Sequence, residues 1–514
     1  MKQIRLISGF LTVGVWTLAS RILGFVRDAI ILAYLGTGPA YEAYVVAFRL
    51  PNMFRRFFAE GAFNMAFIPI FSKKLEGDED AEGFAAQAFA GLASILILLT
   101  LAAQLAMPWL IYGLASGFAG QEQFDLSVEF GRIAFPYILF ISLAALLSGV
   151  LNSLGRFAAA AAAPVLLNVL LVSVMVIAAL TGGNIARALI WTIPVAGVAQ
   201  LALVWIAARR AGFHVHLQRP RLTPDMRRLI KIAIPAALAG GVVQVNLLVG
   251  QQVASYFDRA VGWLYAADRL YQLPLGVVGI AIGVVLLPDL SRRLKADDHD
   301  GARNALSRAA EVSLALTIPA AVALIVIPLP LVSVLFERGA TTASDSAAIA
   351  MAVAVYGLGL PAFVIQKILQ PLFFAREDTR RPFHYAVVAM VVNAVVAIGL
   401  APVLGWIASA IATTLAGWGM VALLTIGSRP FGDVARFDDR FRTRIWRIIA
   451  ASLAMGVCLW GAMLMLTPYL SMTGIRYGAL AALIGVGIIS YFGIGQIIGA
   501  FRLSEFKAAM RRGG

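Results

Sequence analysis

Arginine occurs in this chain at positions where the surrounding sequence is otherwise strongly apolar. Four such residues carry the argument: Arg21, Arg27, Arg55 and Arg269. An arginine at the centre of a bilayer costs about 2.5–3.5 kcal/mol, so several of them need a compensating partner. The planar guanidinium binds phosphate or carboxylate oxygens in pairs and stays charged at physiological pH. The residue type therefore predicts binding of an anion, such as a diphosphate.

Other polar residues in the same apolar stretches are candidates for a supporting or gating role. They are Asp28, Glu42, Arg49, Arg56, Glu60, Asp268 and Gln272. A structural interpretation is open for some of them, because Arg56 and Glu60 have the i,i+4 spacing of an ion pair. Arg49 can extend its charge toward water, and Arg27 has Asp28 beside it. The acids are nevertheless too few to neutralise all the arginines, which favours a ligand.

The sequence gives little support for catalysis. No Gly-x-x-x-x-Gly-Lys-Ser/Thr loop for ATP is present, and the four histidines fall in or beside basic loops. Cys458 is the single cysteine, which excludes a multi-cysteine metal site. A membrane enzyme acting on lipid-linked sugars would need a histidine or an acid pair near a membrane face, and none is found. We expect a protein that is not an enzyme and that uses no metal or cofactor.

Composition predicts that these residues belong to a polytopic, all-α membrane protein. Of the 514 residues, 61% are hydrophobic and 13% are charged, which is too little charge to solvate a soluble domain. Lipid satisfies no backbone hydrogen bonds, so the spanning segments must be helices. About fourteen segments reach spanning length: 7–35, 41–71, 83–112, 127–152, 159–180, 186–208, 228–253, 261–290, 308–333, 346–374, 383–400, 404–427, 445–467 and 475–501.

The net charge of +15 is distributed as in a membrane protein. Lysine and arginine crowd into alternate connections, and the connections between them, such as "LGTGPAYE", carry none. This positive-inside pattern places both termini in the cytoplasm and requires an even number of spans. It also removes the reason to expect nucleic acid as a partner.

The chain contains an internal duplication. "AFRL" at 47–50 matches "ADRL" at 267–270, and "PIFSKKL" at 69–75 matches "PDLSRRL" at 288–294. A third match keeps its internal spacing, since Pro136, Arg156 and Asn168 recur as Pro361, Arg381 and Asn393. Matches in the same order at nearly the same offset indicate a repeat.

The repeat predicts two lobes of six helices that enter the membrane in the same direction. We expect an N-terminal lobe at 1–215, a C-terminal lobe at 222–430 and two additional helices at 440–502. Parallel repeats of this kind suit a transporter that alternates access to a substrate site at the lobe interface.

Several long blocks resemble the signature sequences of the bacterial MurJ (MviN) lipid II flippases. They are "SRILGFVRDA", "AFRLPNMFRRFFAEGAFNMAFIPIF", "FPYILFISLAALLSGVLNSLGRFAAAAAAPVLLN" and "YAADRLYQLPLGVVGIAIGVVLLPDLS". The resemblance covers essentially the whole chain. It implies the fold of the multidrug/oligosaccharidyl-lipid/polysaccharide exporters. It also implies flipping of lipid II, an undecaprenyl diphosphate bearing a disaccharide-pentapeptide, across the bacterial cytoplasmic membrane for cell wall synthesis.

The resemblance assigns roles to individual residues. The family's essential cavity arginines fall on Arg21, Arg27, Arg55 and Arg269, and conserved acids fall on Asp28 and Glu60. Glu42 stands where aspartate is usual, and Gln272 stands where some members have glutamate. The two additional helices are expected to form a groove for the lipid tail. The implied partners are lipid II, membrane lipids and cell wall synthesis enzymes.

Alternative functions remain open at this stage. A related exporter of the same superfamily could flip another undecaprenyl-diphosphate-linked saccharide or exchange drugs for cations. Drug antiporters mostly handle cations and should have an excess of cavity acids, whereas arginine dominates here. A static scaffold for cell wall enzymes would leave the buried charge without a reason.

Overall fold

Helices account for the regular structure of the chain. The computed structural model describes residues 2–55, 62–77, 79–214, 216, 218–281 and 286–501. No strand occurs within these ranges, so the all-α prediction is confirmed. The helices are α1 (Lys2–Leu35), α2 (Pro39–Arg55), α3 (Ala62–Glu76), α4 (Ala81–Leu114), α5 (Glu122–Ala134), α6 (Tyr137–Ser153), α7 (Ala158–Thr181), α8 (Ile185–Arg210), α9 (Pro224–Ala254), α10 (Ala260–Ala281), α11 (Leu287–Lys295), α12 (His299–Val326), α13 (Pro328–Phe336), α14 (Ala343–Phe374), α15 (Arg380–Leu404), α16 (Ala408–Ser428), α17 (Asp439–Leu470) and α18 (Arg476–Ile497).

The helices are long and apolar enough for a multi-pass membrane protein. Among the described residues, 9 segments qualify as candidate spans by length and composition. One of them, Arg380–Ala435, contains both α15 and α16. The expected number of about fourteen spans stays a prediction.

Short polar side chains fix where several helices begin. The side chains of Asp80, Asn184 and Asp438 accept hydrogen bonds from backbone amides in the first turns of α4, α8 and α17. Thr342 and Asp345 form a reciprocal capping box at the start of α14. Each such cap satisfies an amide that has no partner within its helix and contributes about 1 kcal/mol.

The chain divides into two compact units. Unit 1 contains Met1–Gly262 and Arg338–Thr341, and unit 2 contains Trp263–Glu337 and Thr342–Gly514. Helix α9 therefore belongs to unit 1. The lobe boundaries expected from the sequence stay a prediction.

A cluster of rings and an ion pair hold the middle of unit 1 together. Phe67 stacks on Phe71 and Phe84 with ring centroids 5.4 and 5.5 Å apart. Lys74 Nζ lies 2.8 Å from Glu79 Oε2 and 3.0 Å from Asp225 Oδ2, in the first turn of α9. Its hydrogen bonds, first to Glu79 and then to Asp225, raise the pKa of Lys74, which therefore stays cationic. This ion pair connects α3 to the amino end of α9.

In unit 2 a buried carboxylate joins α12 to α17. Glu311 is 7% exposed and accepts from Arg308, one turn earlier on the same helix. Its Oε1 also accepts from Arg444 Nη1 at 2.5 Å and from Arg440 Nη2 at 3.3 Å. Arg308 in turn donates to Asp438 at 2.5 Å, at the start of α17. A buried carboxylate shared by three guanidinium groups is compensated for the loss of water.

A close approach of backbones occurs between a short 3-10 helix, Ser116–Phe118, and the carboxyl end of α9. The Gly117 amide donates to Ser255 Oγ at 3.0 Å, and the Ser116 amide donates to Gln252 Oε1 at 3.1 Å. A Cβ on Gly117 would lie 2.4 Å from the carbonyl carbon of Ser255. Glycine is therefore required here by the lack of space.

We expect Gly117→Ala to destabilise the protein by about 1–3 kcal/mol, since the backbones must separate to admit a methyl group. Thermal unfolding of the purified full-length protein in detergent would measure the loss. Gly113→Ala is the matched control, because a Cβ there has no neighbour within 4 Å. Equal unfolding temperatures for the two variants would contradict the steric argument.

Candidate functional site

The two central arginines of α1 have different surroundings. Arg27 is 8% exposed, and its Nε and Nη2 donate to Asp28 Oδ1 at 2.9 and 2.6 Å. Its Nη1 donates to Asn168 Oδ1 at 2.8 Å, while the Asn168 amide donates to the Ser20 carbonyl at 3.0 Å. Arg21, by contrast, is exposed. In this structure Arg27 is engaged within unit 1, whereas the charge of Arg21 is accessible.

This part of the site is held in place by the packing of α1 on α7. A Cβ on Gly24 would lie 3.6 Å from the side chain of Asn168, so α7 approaches closely. Asn168 itself is 5% exposed and connects the backbone of α1 to the guanidinium of Arg27. Buried charge is tolerated in such a place because every partner is pre-positioned.

Helix α2 carries the next pair of predicted arginines. Arg49 and Arg55 are both half-buried, and Arg55 occupies the last turn of the helix. Arg56 and Glu60 lie outside the described residues, so their predicted pairing is not tested. Positions 49 and 55 lie one and two-thirds turns apart, which places the two residues on different faces of the helix.

Glu42, predicted as a supporting acid, contacts the start of α10. The carboxylate is 1% exposed, and its Oε1 accepts from the Val261 and Gly262 amides at 3.1 and 3.4 Å. These amides belong to the first turn of a helix, where no intrahelical acceptor exists and a negative charge is favourable. The immediate effect of Glu42 is therefore to cap the helix on which Asp268 and Arg269 stand.

Farther along α10, in unit 2, polar residues form local pairs. The Arg269 guanidinium lies 4.3 Å from the centroid of the Tyr265 ring and donates to the Tyr265 hydroxyl. Gln272 donates to Asp268, one turn earlier. Both residues of each pair are half-buried. An aromatic face stabilises a cation without neutralising it, so Arg269 keeps its full charge.

Sequence reasoning missed several residues at these sites. The sequence distinguishes Asn168 only as a member of the repeat, whereas in the structure its Oδ1 accepts a hydrogen bond from Arg27. Tyr265, which supports Arg269, carries no signal in the sequence that would single it out. Within the described ranges, no group of three acidic, histidine or cysteine side chains is placed to hold a metal ion.

Comparison with known proteins identifies close similarity over the full chain. A family model described as "Lipid II flippase MurJ" matches residues 31–480. A relative from Rhizobium meliloti (strain 1021), named "Probable lipid II flippase MurJ", is 43% identical over 518 residues, covering 99% of this chain and 97% of the relative.

Solved structures share the fold. One titled "Lipid II flippase MurJ, inward closed conformation" has a TM-score of 0.78 at 24% identity, covering 95% of this chain and 98% of that chain. An inward-facing multidrug resistance transporter of the MATE family has a TM-score of 0.67 at 16% identity, covering 83% and 95%. The expected exporter-superfamily fold is confirmed.

The Arg27–Asp28 pair predicts a compensating double variant. We expect Arg27→Ala and Asp28→Ala each to destabilise the protein by about 3–5 kcal/mol, because each leaves a buried charge without its ion-pair partner. The double variant should unfold at a temperature closer to the wild type than either single variant. If its loss equals the sum of the single losses, the two residues do not act as a pair.

The Glu42 cap can be tested with an isosteric change. Glu42→Gln keeps an oxygen that can accept from the two amides, whereas Glu42→Leu removes it. We expect the leucine variant to lose about 1–3 kcal/mol of stability and the glutamine variant to lose less. Thermal unfolding in detergent is the measurement. Equal losses of stability in the two variants would show that the hydrogen bonds accepted by Glu42 do not stabilise the protein and that its charge does.

Proposed function

The chain belongs to the lipid II flippase MurJ family, and we propose that it moves lipid II from the inner to the outer leaflet of the bacterial cytoplasmic membrane. The observation that carries this proposal is the full-length similarity to the relative named as a probable lipid II flippase. The intramembrane arginines supply the chemical reason, since they are the residues best suited to a diphosphate.

The proposal assigns the diphosphate to arginine side chains. Arg21, Arg55 and Arg269 bind it through their guanidinium groups. Exposure of Arg21 and the aromatic support of Arg269 leave both guanidinium groups charged for an incoming anion. Arg27 contributes in one of two ways. Either its guanidinium releases the Asp28 carboxylate and binds the diphosphate, or it keeps its contacts with Asp28 and Asn168 and stabilises the packing of α1.

Movement would follow alternating access. A ligand shifts such an equilibrium only if it binds one state more tightly than the other, and a diphosphate that the arginines bind more tightly in one state provides such a difference. The inside-negative membrane potential favours outward movement of an anion by about 2.3 kcal/mol per charge per 100 mV. The protein carries out no covalent chemistry in this scheme.

Other features expected from the sequence belong to the same proposal. Both termini lie in the cytoplasm, and the lobes correspond to 1–215 and 222–430. The two additional helices expected at 440–502, which correspond to α17 and α18, hold the lipid tail. Membrane lipids surround the chain, and cell wall synthesis enzymes receive the product.

Transport by purified protein in liposomes is the decisive measurement. We expect wild-type protein to translocate labelled lipid II, and Arg269→Ala to reduce the rate at least about tenfold, given a charged hydrogen bond of about 1.5–3 kcal/mol. Arg55→Lys should be slower than the wild type although it keeps its charge, because lysine cannot bind two oxygens side by side.

Two controls make the transport result specific. Arg436→Ala removes an exposed arginine paired with Asp433 at 3.3 Å and should leave the rate unchanged. A second saccharide carried on undecaprenyl diphosphate tests the substrate. Faster transport of that lipid than of lipid II would favour a related exporter function, and normal transport by Arg269→Ala would remove the anion-binding role.

A further inference from the structure

An arginine that the proposed function does not use lies on the exposed surface of unit 1. Arg132 belongs to α5, and its Nε donates to the Gln104 carbonyl of α4 at 3.3 Å. The Gln104 side chain donates back to the Arg132 carbonyl at 2.7 Å. Among the described residues, the guanidinium has no carboxylate partner and its two terminal amino groups make no hydrogen bond. These amino groups are therefore available to bind a pair of oxygens.

The helices on either side of α5 expose apolar faces of the kind that contacts acyl chains. On α4 the exposed side chains recur every three or four residues and so share one face: Leu101, Leu105, Trp109 and Tyr112. On α8 an exposed face has the same spacing: Arg187, Trp191, Val195 and Val198. Trp109 is 74% exposed and Trp191 is 59% exposed. Exposed tryptophans on spanning helices are typical of the level of the lipid headgroups.

Helix α4 gives the depth of Arg132. Gln104, which contacts Arg132, stands five residues before Trp109 and farther from the end of the helix at Leu114. It therefore lies about 7.5 Å along the axis from Trp109 toward the middle of the helix. This places Arg132 on the acyl-chain side of the headgroup level, where a guanidinium needs an anionic partner.

Helix α8 gives the depth of Glu129, one turn before Arg132 on α5. The Glu129 carboxylate pairs with Arg187 Nε at 3.3 Å. Arg187 stands four residues before Trp191, near the start of α8, and so lies about 6 Å toward water from that tryptophan. The accessible face of α5 therefore crosses the headgroup level, with Glu129 on the side of water.

The charges on this face of α5 are arranged like those of a zwitterionic phospholipid, with opposite signs. Asp125, Glu129 and Arg132 are spaced by four and three residues, so they share a face. From water toward the acyl chains, the order is carboxylate, carboxylate and guanidinium. A phospholipid with an amino headgroup has its ammonium outermost and its phosphate nearer the glycerol. Each charge of such a lipid would meet a charge of opposite sign.

Extension of Arg132 toward water is the simpler explanation, and the contacts disfavour it. An arginine that extended toward water along α5 would reach the Glu129 carboxylate one turn away. Arg132 forms no ion pair with Glu129, which pairs with Arg187 instead. Its Nε is held by the backbone of α4 on the deeper side of the headgroup level.

We propose that Asp125, Glu129 and Arg132 form a binding site for a phospholipid with an amino headgroup, such as phosphatidylethanolamine. The phosphate binds the Arg132 guanidinium, and the ammonium lies against the two carboxylates. The lipid belongs to the leaflet at the amino end of α5, which is the outer leaflet in the topology proposed above. The inference goes beyond the proposed function and does not depend on transport of lipid II.

Photolabelling in lipid nanodiscs tests the site. The full-length protein is reconstituted with a phosphatidylethanolamine that carries a photoactivatable group near the glycerol end of an acyl chain, and labelled peptides are identified by mass spectrometry. We expect labelling of the exposed faces of α4 and α8 beside Arg132. Arg132→Gln should reduce it about tenfold, and Arg132→Lys should retain more because it keeps the charge. Arg436→Gln, which removes an exposed arginine paired with Asp433, is the matched control.

A second lipid and a second variant test recognition of the ammonium. The corresponding phosphatidylglycerol carries the phosphate without an ammonium and should label these faces more weakly. Asp125→Asn should reduce labelling by phosphatidylethanolamine only. Asp125 is exposed and accepts no hydrogen bond from another described residue, so this variant should fold even if Arg132→Gln does not. Unchanged labelling in Arg132→Gln, or equal labelling by the two lipids, overturns the inference.

Discussion

The free-energy cost of charge in an apolar helix is the constraint on which this structure depends. Arg27 shows how the cost is met, since the guanidinium, the Asp28 carboxylate and the Asn168 amide satisfy one another within a few ångströms. The same constraint explains the aromatic support of Arg269 and the amides around Glu42. Arg21, by contrast, is exposed.

Much of the fold could be predicted from the sequence because apolar length is a strong signal. The expected segments 159–180, 186–208 and 228–253 lie within α7, α8 and α9. Breaks within segments were not predicted. Pro136 and Pro361 are equivalent in the repeat, yet Pro136 precedes α6 at a break from α5, whereas Pro361 lies inside the continuous α14. Proline weakens a helix at both places, and neighbouring packing decides whether the helix continues.

The residue types of the candidate site could be predicted from the sequence, whereas the contacts that these residues make could not. An excess of arginine in apolar sequence identified Arg21 and Arg269 as chemically unusual. Nothing local indicates that Glu42 binds amides more than 200 positions away, because that contact is created by folding.

The carboxylate of Glu311 has a consequence for how far the last helices can be separated from the rest of unit 2. Two of its three cationic partners, Arg440 and Arg444, come from α17, so α12 and the terminal hairpin of α17 and α18 share one neutralised centre. A chain shortened before Asp439 would keep Glu311 but lose both. The terminal hairpin is therefore an integral part of the fold, because its removal would leave a buried acid without two of its three cationic neighbours.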